Sequence, residues 1–382
     1  MKKLSKIGYD LSDVSIVQTS ISPIRHRSEC NPFRTIANKE MYPVIVSPMA
    51  SVTDESNYKI WLENKFMCVI PRSVDVNTRL KLMYETFASF SLEESETILP
   101  YINNEDKEFY ICIDIAHGTM APLYDVCKKL KKLYGNKIII MTGNIATPEA
   151  YSFYVDAGID YVRCFIGAGS RCTTACNVSV FYPKATLLDE LNQERIKWEN
   201  NHDCEAPTKL IADGGISNFD DIQKCLGLGA DFVMCGNIFA KSEEACGDVF
   251  YMDPNNPNNR YTKPQYNAAI KYLKNILQQS KEETEIEESK TELNYLSTFK
   301  LYREYFGMSC KIAQKITGGD GNKTAEGISR PIPVEYPIAK WTDNMQSYLR
   351  STMSYAGCYD LDEFKNNCEF IISFSGDRAY RK

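Results

Sequence analysis

Between residues 137 and 234 apolar runs of four or five residues recur, and each gives way to a turn built on glycine, asparagine or aspartate. Residues 137–141, 161–165, 209–212 and 231–234 show little polar alternation, the pattern of strands covered on both faces in a parallel sheet. Exit turns follow at Thr142-Gly143-Asn144, Gly167-Ala168-Gly169 and Asp213-Gly214-Gly215. Helices are expected after them. Thr147-Pro148-Glu149 offers a hydroxyl for an N-cap, proline for the first helical position and an acid for the first turn. Ser217 and Asp220 have the spacing of an N-terminal capping pair, and the charged residues 187–200 read as an exposed helix. Strand–helix–strand cycles this short dictate parallel strands and right-handed crossovers. A (β/α)8 barrel and a doubly wound sheet both satisfy that rhythm, and both gather ligands at the C-terminal ends of strands.

Upstream, residues 41–46 read as the first strand, 56–64 as a helix, 66–70 as the second strand and 110–114 as the third, ending on Asp114. Residues 73–109 form the span between the second and third strands, and residues 10–30 are polar and irregular. Downstream, residues 251–297 break the rhythm. A turn-rich loop is expected over 252–259, then a helix over 265–280 with Ile270, Leu273, Ile276 and Leu277 on one face. The acidic run 281–288 reads as solvated or disordered. Residues 370–373 read as a last strand.

With 382 residues, 43% of them hydrophobic, the chain can bury a large core. A net charge of −6 without a basic cluster argues against a nucleic-acid partner. No stretch approaches the roughly 20 apolar residues that span a bilayer, and the first residues lack the apolar centre of a secretory signal. A cytoplasmic protein with no membrane contact is the expectation. The 14 cysteines are scattered without a framework spacing, as small buried hydrophobes are in a reducing compartment. Cys172 and Cys176 lie close in sequence, but no second pair accompanies them and only three histidines exist, so no zinc site is expected.

One turn offers chemistry as well as geometry. In Ile166-Gly167-Ala168-Gly169-Ser170-Arg171-Cys172-Thr173-Thr174 the glycines let backbone N–H groups approach an anion closely. A thiol then stands at the mouth of the pocket, followed by two hydroxyls. Taken alone, the stretch reads equally as an ordinary strand–helix turn.

This stretch resembles the catalytic loop of the IMP dehydrogenase/GMP reductase family, Gly-Pro-Gly-Ser-x-Cys-Thr-Thr, with Ala168 in place of the proline. Similarity extends to Asp10-Leu11-Ser12-Asp13-Val14, Arg27-Ser28-Glu29, Ser47-Pro48-Met49 and Asp114-Ile115-Ala116-His117-Gly118. It resumes at Tyr305-Phe306-Gly307-Met308-Ser309, Thr324-Ala325-Glu326-Gly327 and residues 349–357. Ala50, Pro71-Arg72 and Asn237 depart from the family pattern. The Arg-Ser-acid element, a 73–109 span too short for an inserted regulatory domain, and a short 309–327 segment are more like GMP reductase. The resemblance implies an α/β fold, a (β/α)8 TIM barrel. It also implies one catalytic domain over residues 1–382, with an insertion at 251–297 and an active-site flap at 309–327.

It further implies roles. Cys172 would be the nucleophile, and the loop amides and an adjacent helix start would favour its thiolate. Asp213 would accept hydrogen bonds from two ribose hydroxyls. Ser170, Gly215 and Gly236, with Asn237 beside them, would cradle a 5′-phosphate. Met49 would lie against the purine, and Tyr305, Gly307, Met308 and Ser309 would serve phosphate and base. Thr174 and Glu326 match the pair that protonates the leaving amine. Asp114, Asn144 and Lys323 would serve the cofactor, NADPH. No resident metal is implied, although Gly167 and Gly169 mark where a monovalent cation would bind.

The activity so implied is NADPH-dependent reductive deamination of GMP, a purine nucleoside monophosphate, to IMP through a cysteine adduct at purine C2. IMP dehydrogenase, which takes IMP to XMP with NAD, uses an Arg-Tyr pair on a long flap to activate water. Residues 309–325 contain no such pair, and their basic side chains are Lys311, Lys315 and Lys323. IMP dehydrogenase activity and a non-catalytic purine-nucleotide-binding barrel stand as the alternatives. A homotetramer is implied by kinship.

Overall fold

The computed structural model describes residues 6–102, 107–318, 321–322 and 324–373. Eight parallel strands close on themselves. They are β1 (Val44–Val46), β2 (Met67–Ile70), β3 (Phe87–Phe90), β4 (Phe109–Asp114), β5 (Ile138–Ile145), β6 (Tyr161–Cys164), β7 (Lys209–Asp213) and β8 (Phe232–Cys235). Each pairs with the next, and β8 pairs with β1 in the register Val233↔Val44. That last pairing makes the fold a (β/α)8 barrel and excludes an open doubly wound sheet.

Successive side chains on each strand point to opposite faces, and both faces are buried. Ile45, Met67, Val69, Phe87, Cys112, Met141, Ile211 and Met234 pack inside the barrel. Their chain neighbours, such as Val44, Val46, Cys68 and Ile70, pack outward under the helices. A hairpin of Arg34–Ile36 with Lys39–Met41 adds Ile36, Ala37 and Met41 to the inner cluster, closing the end of the barrel from which β1 starts.

Several local expectations change. The 41–46 strand is two pieces, the hairpin arm ending at Met41 and β1 from Val44, with Tyr42-Pro43 between them. The span 73–109 holds a barrel strand of its own, β3, between helices Val76–Leu82 and Leu92–Thr97. Phe87-Ala88-Ser89-Phe90 is too short for its period to announce it. Residues 10–30 are more ordered than polar composition implies, with capped 3-10 turns at Leu11–Asp13 and Arg27–Glu29. Val14–Ile16 pairs with Phe370–Ile372 outside the barrel, so the last strand is not a barrel strand.

Capping differs too. The helix after β5 begins at Ala150, because Thr147-Pro148-Glu149 forms the turn before it. Asp221, not Asp220, accepts hydrogen bonds from the Ser217 N–H and hydroxyl. The helix Lys184–His202 is not merely exposed. It buries Ala185, Leu187, Leu188, Leu191 and Arg195.

Beyond the barrel, β9 (Val249–Asp253), β10 (Asn256–Thr262), β11 (Lys300–Phe306) and β12 (Ser329–Pro333) form an antiparallel sheet in the order β10-β9-β11-β12. The expected turn-rich loop is therefore a hairpin. Pro254 and Asn255 make its turn, and Asn256, Pro257, Asn258 and Asn259 lie in β10, an edge strand where unpaired backbone is tolerated. The expected acidic coil is the helix Glu283–Ser297, which packs on the helix Lys263–Gln279. Leu273, Leu296 and Phe299 form their shared core with Tyr251, Tyr261 and Tyr266, and this apolar face overrides the charge run. Buried Arg303 on β11 donates to the carbonyls of Ala240 (2.6 Å) and Ser242 (2.7 Å), tying this sheet to the end of the barrel.

At the opposite end, fully buried Asp231 meets Lys365 at 3.0 Å, Arg195 at 3.4 Å and Arg34 at 3.6 Å. It also accepts the Leu210 N–H at 2.8 Å. Burial pushes its carboxyl up, but the three cations outweigh burial and bring it to about 2. Asp231→Ala is expected to cost about 3–5 kcal/mol, because it strands buried charges. Because the folded carboxyl lies below its ordinary value near 4, its contribution is full above that value and is lost as pH falls toward 2. Urea unfolding at pH 7 and pH 3 checks both statements. Equal midpoints for parent and variant at pH 7 would contradict the first.

Candidate active site

The C-terminal ends of the strands open onto a cavity of about 780 Å³. Glycines set its shape at two places. After β7, Gly215 has φ +69°, and a Cβ there would stand 2.3 Å from the Ala168 carbonyl, so the β6 and β7 turns interlock only without a side chain. After β8, a Cβ on Gly236 would stand 2.5 Å from Met49 Sδ and 2.7 Å from the Tyr305 hydroxyl. The bare backbone lets those two side chains meet, the hydroxyl donating to sulfur at 3.4 Å. Tyr305 comes from β11, so the outer sheet completes the cavity wall.

The loop after β6 is fastened to residues 326–328. Thr173 N–H donates to the Glu326 carbonyl at 2.8 Å, and Ile328 N–H to the Arg171 carbonyl at 2.9 Å. Cys172 and Gly327 pair between them as an isolated antiparallel bridge. This pairing brings in the Glu326 carboxylate. Cys172 Sγ donates to Thr174 Oγ1 at 3.2 Å, and Thr174 Oγ1 donates to Glu326 Oε2 at 2.6 Å. Chemically, the chain thiol–hydroxyl–carboxylate can carry a proton in either direction between sulfur and carboxylate.

A second polar group lies across the floor. Arg163, buried on β6, binds Asp114 Oδ1 at 2.7 Å and stands 3.7 Å from Asp213 Oδ2. Arg72 Nε reaches Asp114 Oδ2 at 3.5 Å, and Asn144 donates from Nδ2 to both Asp213 Oδ2 and the Phe165 carbonyl at 3.0 Å. The two carboxyls are driven apart. At Asp114 burial raises the carboxyl, but Arg163 and Arg72 outweigh it and hold the group below the ordinary range. At Asp213 burial prevails over Arg163 and Asn144, and the group sits above that range. The side chains of Asp114 and Asp213 remain 15% and 18% exposed, so both can still meet a ligand.

Met49, Asp114, Asn144, Gly167, Gly169, Ser170, Cys172, Thr174, Asp213, Gly215, Gly236 and Asn237 all line this one cavity. Tyr305, Gly307, Met308, Ser309 and Glu326 line it as well. Lys323 lies outside the described residues. Asp114 is held by two arginines and caps no helix, and Asn144 orients Asp213. Gly167 has φ +73°, and a Cβ there would meet Ala175 and the Val180 carbonyl at 2.9 Å. Among the described residues no group of three His, Cys, Asp or Glu could hold a metal ion, and no helix is long and apolar enough to cross a membrane. Arg163 was missed, yet an arginine inside an apolar strand is itself a signal, since a buried charge needs a partner.

The architecture is thus a (β/α)8 barrel with a cysteine loop and a threonine–glutamate pair at its mouth. The sequence profile of the IMP dehydrogenase / GMP reductase domain matches residues 103–272. The GMP reductase of Staphylococcus carnosus is 27% identical over 384 residues, which cover 97% of this chain and 99% of the relative. The GMP reductase of Clostridium acetobutylicum is 26% identical, again over 97% and 99% of the two chains. The inosine-5′-monophosphate dehydrogenase of Chlorobaculum parvum is 29% identical over 261 residues, 68% of this chain and 44% of the relative. The chain is thus similar to the IMP dehydrogenase / GMP reductase domain over residues 103–272, and to proteins named GMP reductase over almost its whole length.

Proposed function

We propose that the protein is a GMP reductase, converting GMP and NADPH to IMP, ammonia and NADP through a covalent adduct on Cys172. The observation that carries this reading is the relay from Cys172 through Thr174 to Glu326. The thiol proton passes along it to Glu326, and sulfur adds to purine C2. Glu326 then returns a proton through Thr174 to the exocyclic amine, which departs as ammonia while C2 stays bound to sulfur. The coenzyme, when bound, supplies a hydride to C2. The C–S bond then breaks, and its electron pair returns to Cys172.

The other residues fit binding roles. Asp213, fixed by Asn144, takes the ribose hydroxyls, and Ser170, Gly215, Gly236, Asn237 and Tyr305 take the phosphate. Met49, Gly307, Met308 and Ser309 shape the purine site. The wall beside Asp114 would take the nicotinamide side of the coenzyme, and Arg72 Nε, buried there, has a long 3.5 Å contact with Asp114. Asp114, Asn144 and Lys323 would hold the coenzyme on that side. Residues 309–327 act as a flap that delivers Glu326, and the protein works in the cytoplasm as a homotetramer with residues 251–297 as an insertion in its single catalytic domain.

The test is chromatography of two incubations. GMP with NADPH is expected to yield IMP and ammonia, whereas IMP with NAD accumulates no free XMP. Multiple turnovers to XMP would make the protein an IMP dehydrogenase, and no product in either incubation would favour a non-catalytic nucleotide-binding barrel.

A further inference from the structure

Arg171 stands between Ser170 and Cys172 and lines the same cavity, and its side chain takes no part in the thiol–hydroxyl–carboxylate relay. Its guanidinium lies 4.7 Å from the centre of the Tyr305 ring. Nε donates to the Tyr305 carbonyl and Nη1 to the Ser170 carbonyl, both at 3.3 Å. Neither acceptor is an acid. Among the described residues no carboxylate lies within ion-pair distance of Arg171. Glu304, the acid acting on it from β11, is engaged by Arg260 at 3.6 Å and by the Ser329 hydroxyl. The other charge acting on it is Arg330, of like sign.

A half-buried guanidinium without a counter-ion is costly unless an anion joins it. The neighbouring groups say where that anion would sit. The hydroxyl of the ring under Arg171 meets Met49 Sδ, and the side chain of Ser170 bonds to that hydroxyl. Gly236 offers bare backbone at the same point. These are neutral donors for a phosphate. Lys184 also approaches this region, 3.2 Å from a Cβ built on Gly215, but its ammonium pairs with Asp10 at 3.3 Å. Arg171 is the cation left to the cradle.

We propose that Arg171 is an anion-binding residue of the cavity, supplying the positive charge that holds the phosphate ester of the mononucleotide seated on Ser170, Tyr305 and Gly236. The assignment rests on the purine-nucleotide reading for the identity of the ligand, though not for the presence of an anion site. Burial and Arg330 lower the guanidinium's affinity for its proton, a shift that a phosphate beside it would oppose.

The experiment measures binding by calorimetry to the parent, Arg171→Met and Arg171→Lys. Arg171→Met is expected to weaken GMP roughly 10- to 100-fold, the scale of a charge-assisted contact. Guanosine, which lacks the phosphate, should bind parent and variant within about twofold, and Arg171→Lys should recover part of the loss because it keeps a point charge. Equal losses for GMP and guanosine would reduce Arg171 to a prop for Tyr305 and overturn the assignment. A loss confined to NADPH would move its anion to the coenzyme diphosphate and also overturn it. A second measurement is independent of the purine. Inorganic phosphate should raise the unfolding midpoint of the parent more than that of Arg171→Met. Equal shifts overturn the anion site itself, whereas a parent that responds to phosphate but binds no GMP overturns the proposed function and leaves Arg171 in place.

Discussion

Cys172→Ala is expected to lower turnover of GMP by roughly a thousandfold or more, because no other group is placed to form the bond at C2. Among the described residues the remaining cysteine of this loop, Cys176, is exposed, and the cavity lining does not include it. Binding should change little, since the thiol contributes to the adduct and not to ground-state affinity. Calorimetry with GMP and a coupled assay of NADPH oxidation separate the two effects. Substantial residual turnover would remove Cys172 as the nucleophile. Thr174→Val and Glu326→Gln break the relay one and two atoms further out, and both should slow release of ammonia more than they weaken GMP. Their combined effect should be far less than additive, because the relay works as a unit.

Asp213→Ala is expected to weaken nucleotide binding by about 2–4 kcal/mol, the cost of losing charged hydrogen bonds to two hydroxyls. A 2′,3′-dideoxy nucleotide should bind parent and variant alike. If it still discriminates strongly, Asp213 does not hold the ribose. The pH dependence follows from the raised carboxyl. Only the ionised form accepts both bonds, so affinity is full above the raised value and declines as pH falls through it, at a higher pH than for an exposed aspartate. Arg163→Met removes the cation opposing burial, so it should push that decline to still higher pH. It should also free Asp114 from the pairing that holds it low.

The strand–turn–helix rhythm of residues 137–234 was legible in the sequence because period and turn chemistry are local properties. So were the strand ends that bear the candidate residues. Those given roles on the cysteine loop, the Asp213 turn, the Gly236 turn and at Glu326 line one cavity, and Lys323 lies outside the described residues. Composition misled where tertiary packing overrode it. The acidic run became a helix because Leu293 and Leu296 reach Leu273 and Phe299, and the asparagine-rich stretch became an edge strand by pairing with β9.

What the chain alone determined, then, was the cadence of buried strands and the chemistry carried at their ends. Closure of β8 on β1, recruitment of Phe87–Phe90 as a barrel strand and the plug of Ile36 and Met41 were decided by the tertiary structure. So were the meeting of Thr174 with Glu326 across 152 positions and the span of Arg163 between two aspartates. The reason is physical. A pattern along the chain specifies which face of an element is apolar, but partners remote in sequence are chosen by strand register and by the charges that burial leaves to be paired.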